Sequence, residues 1–313
     1  MQPAAIHTEN LTRDFGSLRA LDGLALDVPP GLIFGFLGPN GSGKTTTIRL
    51  LLGLIEPTAG TADVLGLAVA REGDAIRQRC GALLEHVGLY ERLSAEDNLE
   101  YYARIARLPD ADRKARIREV LVQADLWERR REPVGRWSRG MKQKLAVARA
   151  LIHRPSLVFL DEPTAGLDPV AAAAFRQDLA AMVKRDGLTV FLTTHNLAEA
   201  EKLCDRVAVI RKGKLLAVGH PDDLRRQARP ISTATFVGRG FDDRMRALLE
   251  GRPEVMSTSA HDSELEVQLR PDSEIAPLVA LLVSAGAAIE EIRRPKASLE
   301  DLFLDLVDDS VLP

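Results

Sequence analysis

Residues 32–54 read LIFGFLGPNGSGKTTTIRLLLGL. A short apolar run, residues 32–37, stops at a glycine-rich turn, and a helical pattern follows over residues 44–54. The turn, GPNGSGKT at residues 38–45, has glycine, four residues, glycine, lysine, then serine or threonine. That spacing has a chemical reason. Glycines let the backbone curl until several N–H groups point inward, and the following helix adds the positive end of its dipole. Together they form a cradle for phosphate oxygens. The residues expected to contact a nucleotide here are Gly38, Pro39, Asn40, Gly41, Ser42, Gly43, Lys44, Thr45 and Thr46. Lys44 is expected to reach the β- and γ-phosphates, and the Thr45 hydroxyl to bind Mg²⁺.

Further along, SLVFL at residues 156–160 is followed by Asp161 and Glu162. An apolar strand ending in an acid is what a phosphate loop needs as its partner. Asp161 is expected to hold Mg²⁺, and Glu162 to polarise an attacking water. LTVFLTT at residues 188–194 ends at His195, a histidine placed to hydrogen-bond a γ-phosphate without being charged. VAVI at residues 207–210 is a fourth apolar run. Continuous runs without alternation suit strands buried on both faces, so the fold class is α/β with a mostly parallel sheet. Residues 100–105, 111–126 and 141–151 read instead as helices, a helical subdomain of about residues 93–150 inserted into that sheet domain.

The 313 residues include 45% apolar and 28% charged side chains, enough for one large domain plus a small one. The net charge of −3 gives no support to a nucleic-acid partner. The longest apolar run, residues 275–289, is roughly 15 residues and holds Pro277, Ser284 and Gly286, whereas a membrane-spanning helix needs about 20. The first residues, MQPAAIHTENLTRDFG, have no basic segment leading into an apolar one and do not read as a secretory signal. Cys80 and Cys204 are too few for a disulfide framework and read as reduced thiols.

In this order the pieces resemble the ATP-binding cassette of ABC transporters over roughly residues 5–220. The most specific stretch is Trp137, Ser138, Arg139, Gly140, Met141, Lys142 and Gln143, followed by KLAVARALIHRPSLVFLDEPTAGLDP. It is similar to the ABC signature running into the Walker B strand and the D-loop. The resemblance implies a P-loop ATPase cassette using ATP and Mg²⁺, with Lys44, Glu162 and His195 as catalytic groups. It implies two cassettes packed head to tail, with Ser138, Arg139, Gly140 and Met141 at the partner's ATP and Asp168 linking the sites. Phe15 falls where the family stacks an aromatic ring on adenine; a core phenylalanine is nearly as good a reading of it. The signature departs from Leu-Ser-Gly-Gly-Gln at Trp137, Arg139 and Met141, and resembles the Ser-Lys-Gly-Met form of drug and antibiotic exporters. Glu85 stands at the Q-loop position and is expected to reach the metal with Thr45 and Asp161. The family's docking face for a separate transmembrane permease would span residues 85–102, placing the chain peripherally on the cytoplasmic face of a membrane.

Residues 1–222 are therefore expected to form the cassette, residues 223–232 a linker, and residues 233–313 a small α/β appendage of unknown role. In the appendage, residues 233–237 and 264–269 read as strands, and residues 244–249, 275–285 and 299–307 as helices. Leu299, Leu302, Phe303 and Leu306 would share one apolar helical face. Two other classes compete. A soluble ABC ATPase acting on ribosome or nucleic acid usually has two cassettes or a long coiled coil, and the gap here is only about 90 residues without sustained heptads. A P-loop kinase or GTPase would leave the signature, His195 and Asp168 unexplained.

Overall fold

The computed structural model describes residues 3–228, 232–270, 273–293, 299–300 and 302–303. The chain divides into two compact units, Met1–Pro221 and Asp222–Pro313. The first unit opens with β1 (Ile6–Phe15), β2 (Leu18–Val28), β3 (Ile33–Leu37), α1 (Lys44–Leu51), β4 (Ala59–Val64), β5 (Leu67–Ala68), α2 (Val69–Arg79) and β6 (Cys80–Leu83). Helices α3 (Ala95–Ile105), α4 (Asp110–Gln123) and α5 (Arg139–Ala150) follow. The unit closes with β7 (Leu157–Asp161), α6 (Pro169–Asp186), β8 (Thr189–Thr194), α7 (Leu197–Leu203), β9 (Arg206–Arg211) and β10 (Lys214–Gly219).

One sheet of this unit runs β10-β9-β3-β8-β7-β6, parallel throughout except where β10 turns back on β9. All residues of β3, β7 and β8 are buried, as their unbroken apolar sequences require. Phe34, Phe36 and Phe159 meet Phe191 with ring centroids 5.4–5.8 Å apart. Parallel strands have their carboxyl ends on one edge, so the turns after β3, β7 and β8 leave from the same side.

A second sheet, β2-β1-β4-β5, is antiparallel. The sequence reading did not anticipate it, although β2 alternates plainly: Leu24, Leu26 and Val28 are buried and Ala25 and Asp27 exposed. Helices α3, α4 and α5 pack around their own core, which includes Leu99, Leu121, Trp137 and Leu145.

The second unit contains α8 (Pro221–Ala228), whose first residue precedes the division, then β11 (Ser232–Arg239), α9 (Asp243–Glu250), β12 (Val255–His261), β13 (Glu264–Leu269), α10 (Ala276–Ser284) and β14 (Ala288–Arg293). Residues 223–228, expected as linker, are helical. Asp222 and Asp223 in the first turn face Arg225 and Arg226, charges that suit the two ends of a helix dipole. The antiparallel sheet order β12-β13-β11-β14 with two helices is the split β-α-β arrangement. Its core holds Phe236, Leu265, Val267, Leu269, Leu278 and Leu282. Strands β12 and β14 were not read from the sequence; β14 is almost wholly exposed, so no apolar alternation marks it. Leu299 and Leu302 are buried, while Leu306 and most of the expected 299–307 helix lie outside the described residues.

Candidate active site

The glycine-rich loop is fixed to the sheet by its backbone. Gly38 N–H donates to Thr194 O (3.4 Å), Ser42 N–H to Pro39 O (3.2 Å), and Gly213 N–H to Ser42 O (3.0 Å). A Cβ on Gly38 would collide with the Ile210 carbonyl and stand 2.6 Å from Ser42 Oγ. Gly43 adopts φ 109°, and a Cβ there would stand 2.6 Å from Ala20 O. Gly43 is also the cap residue of α1 and offers no side chain, so the first-turn amides receive no side-chain cap. Ser42 Oγ is buried without a hydrogen bond among the described residues. Lys44 is only 6% exposed, and its Nζ donates to Gly38 O (2.8 Å) and Pro39 O (3.2 Å). A cation held by two carbonyls beside uncapped amides makes this loop an anion cradle.

The acidic pair follows β7. Asp161 is buried and accepts from Thr45 Oγ1 (2.7 Å) and Thr193 Oγ1 (2.5 Å). Among the described residues it has no ion-pair partner. Glu162 sits at φ 49°, a left-handed conformation costing a non-glycine residue roughly 1 kcal/mol or more. Its N–H donates to Thr193 O and Thr193 Oγ1, both at 3.1 Å, which holds the turn in place. Lys44 Nζ stands 3.3 Å from Glu162 Oε1, within ion-pair range, although that buried oxygen makes no hydrogen bond of proper geometry. The other oxygen, Oε2, lies 2.9 Å from His195 Nδ1. A neutral His195 donating from Nδ1 has only an acceptor at Nε2, so bonding a phosphate from that state requires a change of partner or a second proton.

A part-buried network meets the same turn. Thr164 Oγ1 donates to Glu199 Oε2 (2.5 Å), and Arg176 pairs with Glu199 Oε1 (3.1 Å). Asp168 caps α6, its Oδ1 accepting from the Val170 and Ala171 amides at 3.0 and 2.9 Å. Ser138 caps α5 in the same way, accepting from Met141 N–H (3.3 Å). Gly140 lies beside Ala171 and Leu167, and Met141 Sδ is met by Arg129. Arg139 turns toward the cleft that Lys44 and Glu162 also line.

That cleft holds about 810 Å³. Phe15 lines it, 45% exposed, with the Arg13 guanidinium 4.5 Å from its ring centroid; the core alternative for Phe15 does not hold. Glu85 lines it too, but its carboxylate faces Arg49 at 3.5 Å, and no contact among the described residues joins it to Thr45 or Asp161. Among those residues no group of three or more His, Cys, Asp or Glu is placed to hold a metal. The sequence reading missed three residues. Thr193 orients both Asp161 and Glu162, and a hydroxyl inside an apolar strand was the available signal. Gln143, whose Nε2 donates to Pro163 O (2.5 Å), and Lys212 also line the cleft. Nothing local in the sequence marked Lys212, because only the pairing of β9 with β3 brings it there.

A family model described as ABC transporter matches residues 21–165. The chain is 36% identical to the bacitracin transport ATP-binding protein BcrA of Bacillus licheniformis, over 96% of this chain and 97% of that one. It is 35% identical to the daunorubicin resistance ATP-binding protein DrrA3 of Streptomyces coeruleorubidus, over 99% and 98%. Among solved structures, cbiO1 from Clostridium perfringens, part of the ABC transporter complex cbiONQ, aligns with a TM-score of 0.67 at 26% identity, over 71% of this chain and 91% of that one. The chain belongs to the ABC transporter family as an ATP-binding, ATP-hydrolysing subunit.

Proposed function

We propose that the cleft between the glycine-rich loop and the Asp161–Glu162 turn is the ATPase centre, and that the chain powers export through a separate membrane permease. The observation that carries the site reading is the meeting of the start of α1 with the end of β7: Thr45 Oγ1 lies 2.7 Å from Asp161, and Lys44 Nζ 3.3 Å from Glu162. The loop amides and Lys44 bind the phosphates. Thr45 and Asp161 hold Mg²⁺, and the fit is chemical: a buried carboxylate with only hydroxyl partners lacks a counter-charge, and a hard divalent ion prefers such oxygens. When bound, that ion neutralises negative charge on the phosphates. Glu162 takes a proton from the attacking water and His195 holds its carboxylate in place, which the 2.9 Å contact supports. Phe15, exposed at the cleft, stacks on the base.

In this reading Ser138, Arg139, Gly140 and Met141 present the start of α5 to the ATP of a second copy, giving a head-to-tail dimer. Asp168, fixed as a helix cap, links the two sites. Glu85 serves as the Q-loop residue, and the surface from residue 85 to 102 docks the permease. No described helix is long and apolar enough to cross a membrane, so transport needs another chain that does. Export is supported by relatives named for bacitracin transport and for daunorubicin and linearmycin resistance.

Affinity purification of the tagged chain from its native membranes tests this directly. Recovery of a polytopic membrane protein is expected. Recovery of ribosomes or soluble partners alone would move the chain to the soluble branch of the family.

A further inference from the structure

Glu199, in the first turn of α7, is a carboxylate only 7% exposed. Burying such a charge is costly unless it is paired, and each of its oxygens has a partner. Oε2 accepts from Thr164 Oγ1 (2.5 Å), and Oε1 meets Arg176 of α6 (3.1 Å). The Glu199 N–H donates to Asn196 Oδ1 (3.0 Å), the cap of α7. The desolvation cost of a buried ion pair can offset its attraction, so such a pair does not by itself account for stability; what it fixes is geometry.

The geometry in question is that of Glu162 and His195. Thr164 shares the turn of Glu162: Ala165 N–H donates to Glu162 O (3.1 Å) and Leu167 N–H to Thr164 O (3.0 Å). On the other side, α7 follows directly on His195, and its cap Asn196 is tied back to β8 by an N–H donated to Thr194 Oγ1 (3.0 Å). Arg176 adds α6, which begins at the cap Asp168. One carboxylate thus joins the turn after Glu162 to the helix after His195, the two residues whose side chains meet at 2.9 Å. Glu162 needs such support, because its left-handed φ of 49° is a strained conformation that persists only where the surroundings impose it.

We propose that Glu199 is a positioning residue for ATP hydrolysis, holding the Glu162 carboxylate against His195 through Thr164 on one side and the start of α7 on the other. Neither Thr164 nor Glu199 is among the residues lining the cleft, so an effect on turnover has to pass through groups that are. A general base loses rate when it is displaced, whereas phosphate binding depends on the glycine-rich loop, which this linkage does not touch. The linkage therefore acts on the rate of turnover and leaves nucleotide affinity alone. This proposal rests on the reading of Glu162 as the base.

The test is ATP turnover by the full chain, with calorimetry of a non-hydrolysable ATP analogue in parallel. Thr164→Val removes the hydroxyl and keeps the shape. It is expected to lower kcat about tenfold, with KM for ATP and analogue affinity within about twofold of the parent. Thr164→Ser restores the hydroxyl and is expected to recover most of the loss. A kcat within about threefold of the parent, or a KM that rises in step with the fall in kcat, overturns the proposal. Glu199→Met combined with Arg176→Met strands no buried charge and is expected to give the same loss of about tenfold, with none added by Thr164→Val, since all three break one linkage. Losses that multiply overturn it as well. In a Glu162→Gln background, Thr164→Val is expected to change single-turnover hydrolysis by less than about twofold; a further loss of about tenfold would mean that the linkage acts on something other than Glu162. Glu162→Gln alone separates the two readings. Turnover within about tenfold of the parent would remove Glu162 as the base and the proposal with it, whereas slow turnover there beside a normal Thr164→Val would sink only the role of Glu199.

Discussion

The six-stranded sheet of the first unit is buried on both faces along β3, β7 and β8, whereas β13 of the second unit alternates buried and exposed residues. The difference follows from strand direction. Parallel strands send their carboxyl ends to one edge, so Gly38 after β3, the Asp161–Glu162 pair at the end of β7, and His195 after β8 converge from three segments far apart in sequence. Antiparallel strands send alternate ends to opposite edges. The second unit's sheet thus has no common edge on which to assemble such a group, and its buried face serves packing through Phe236, Leu265 and Val267. One sheet positions chemistry, and the other supports a small core.

Substitutions in the two sheets should separate these roles. Glu162→Gln is expected to lower ATP turnover about a thousandfold while ATP still binds, read as single-turnover phosphate release with binding measured in parallel. Turnover within tenfold of the parent would remove Glu162 as the base. In the second unit, Phe236→Ala is expected to cost about 3–5 kcal/mol locally, seen as faster amide hydrogen exchange across β11 and β13, with ATP affinity unchanged. A large loss of ATP affinity would mean that the contrast between the sheets is too sharply drawn. Lys44→Ala removes the buried cation of the loop and is expected to weaken ATP about a hundredfold by calorimetry, with hydrogen exchange of the second unit unaffected.

The smallest effect concerns Cys80, whose thiol burial pushes up to about 12 from a usual value near 9. A raised folded value means that the contribution to stability is complete below pH 9 and is lost as pH rises toward 12, because the unfolded chain ionises first. Denaturant midpoints should therefore be flat with respect to this group from pH 7 to 8.5 and decline above 9. Below that range, maleimide should label Cys80 and Cys204 slowly until denaturant exposes them, since both are buried.

Sequence alone determined the parts of this protein whose signals are local. A phosphate loop needs glycines, a lysine and a hydroxyl at fixed offsets, so residues 38–45 were legible as they stand. Short unbroken apolar runs rich in β-branched and aromatic residues marked β3, β7, β8 and β9 as strands buried on both faces, the pattern a parallel sheet requires. The antiparallel sheet of β1, β2, β4 and β5 was less visible, and β14 was invisible, since an exposed edge strand carries no hydrophobic alternation.

Tertiary structure decided which distant groups meet. That Thr193 orients Asp161, that His195 reaches Glu162 and that Glu85 turns to Arg49 all depend on strand order and side-chain direction. These are properties of pairing between segments far apart in the chain. A motif specifies the chemistry of one loop through its own backbone, whereas a site assembled from several loops exists only once packing has chosen their neighbours.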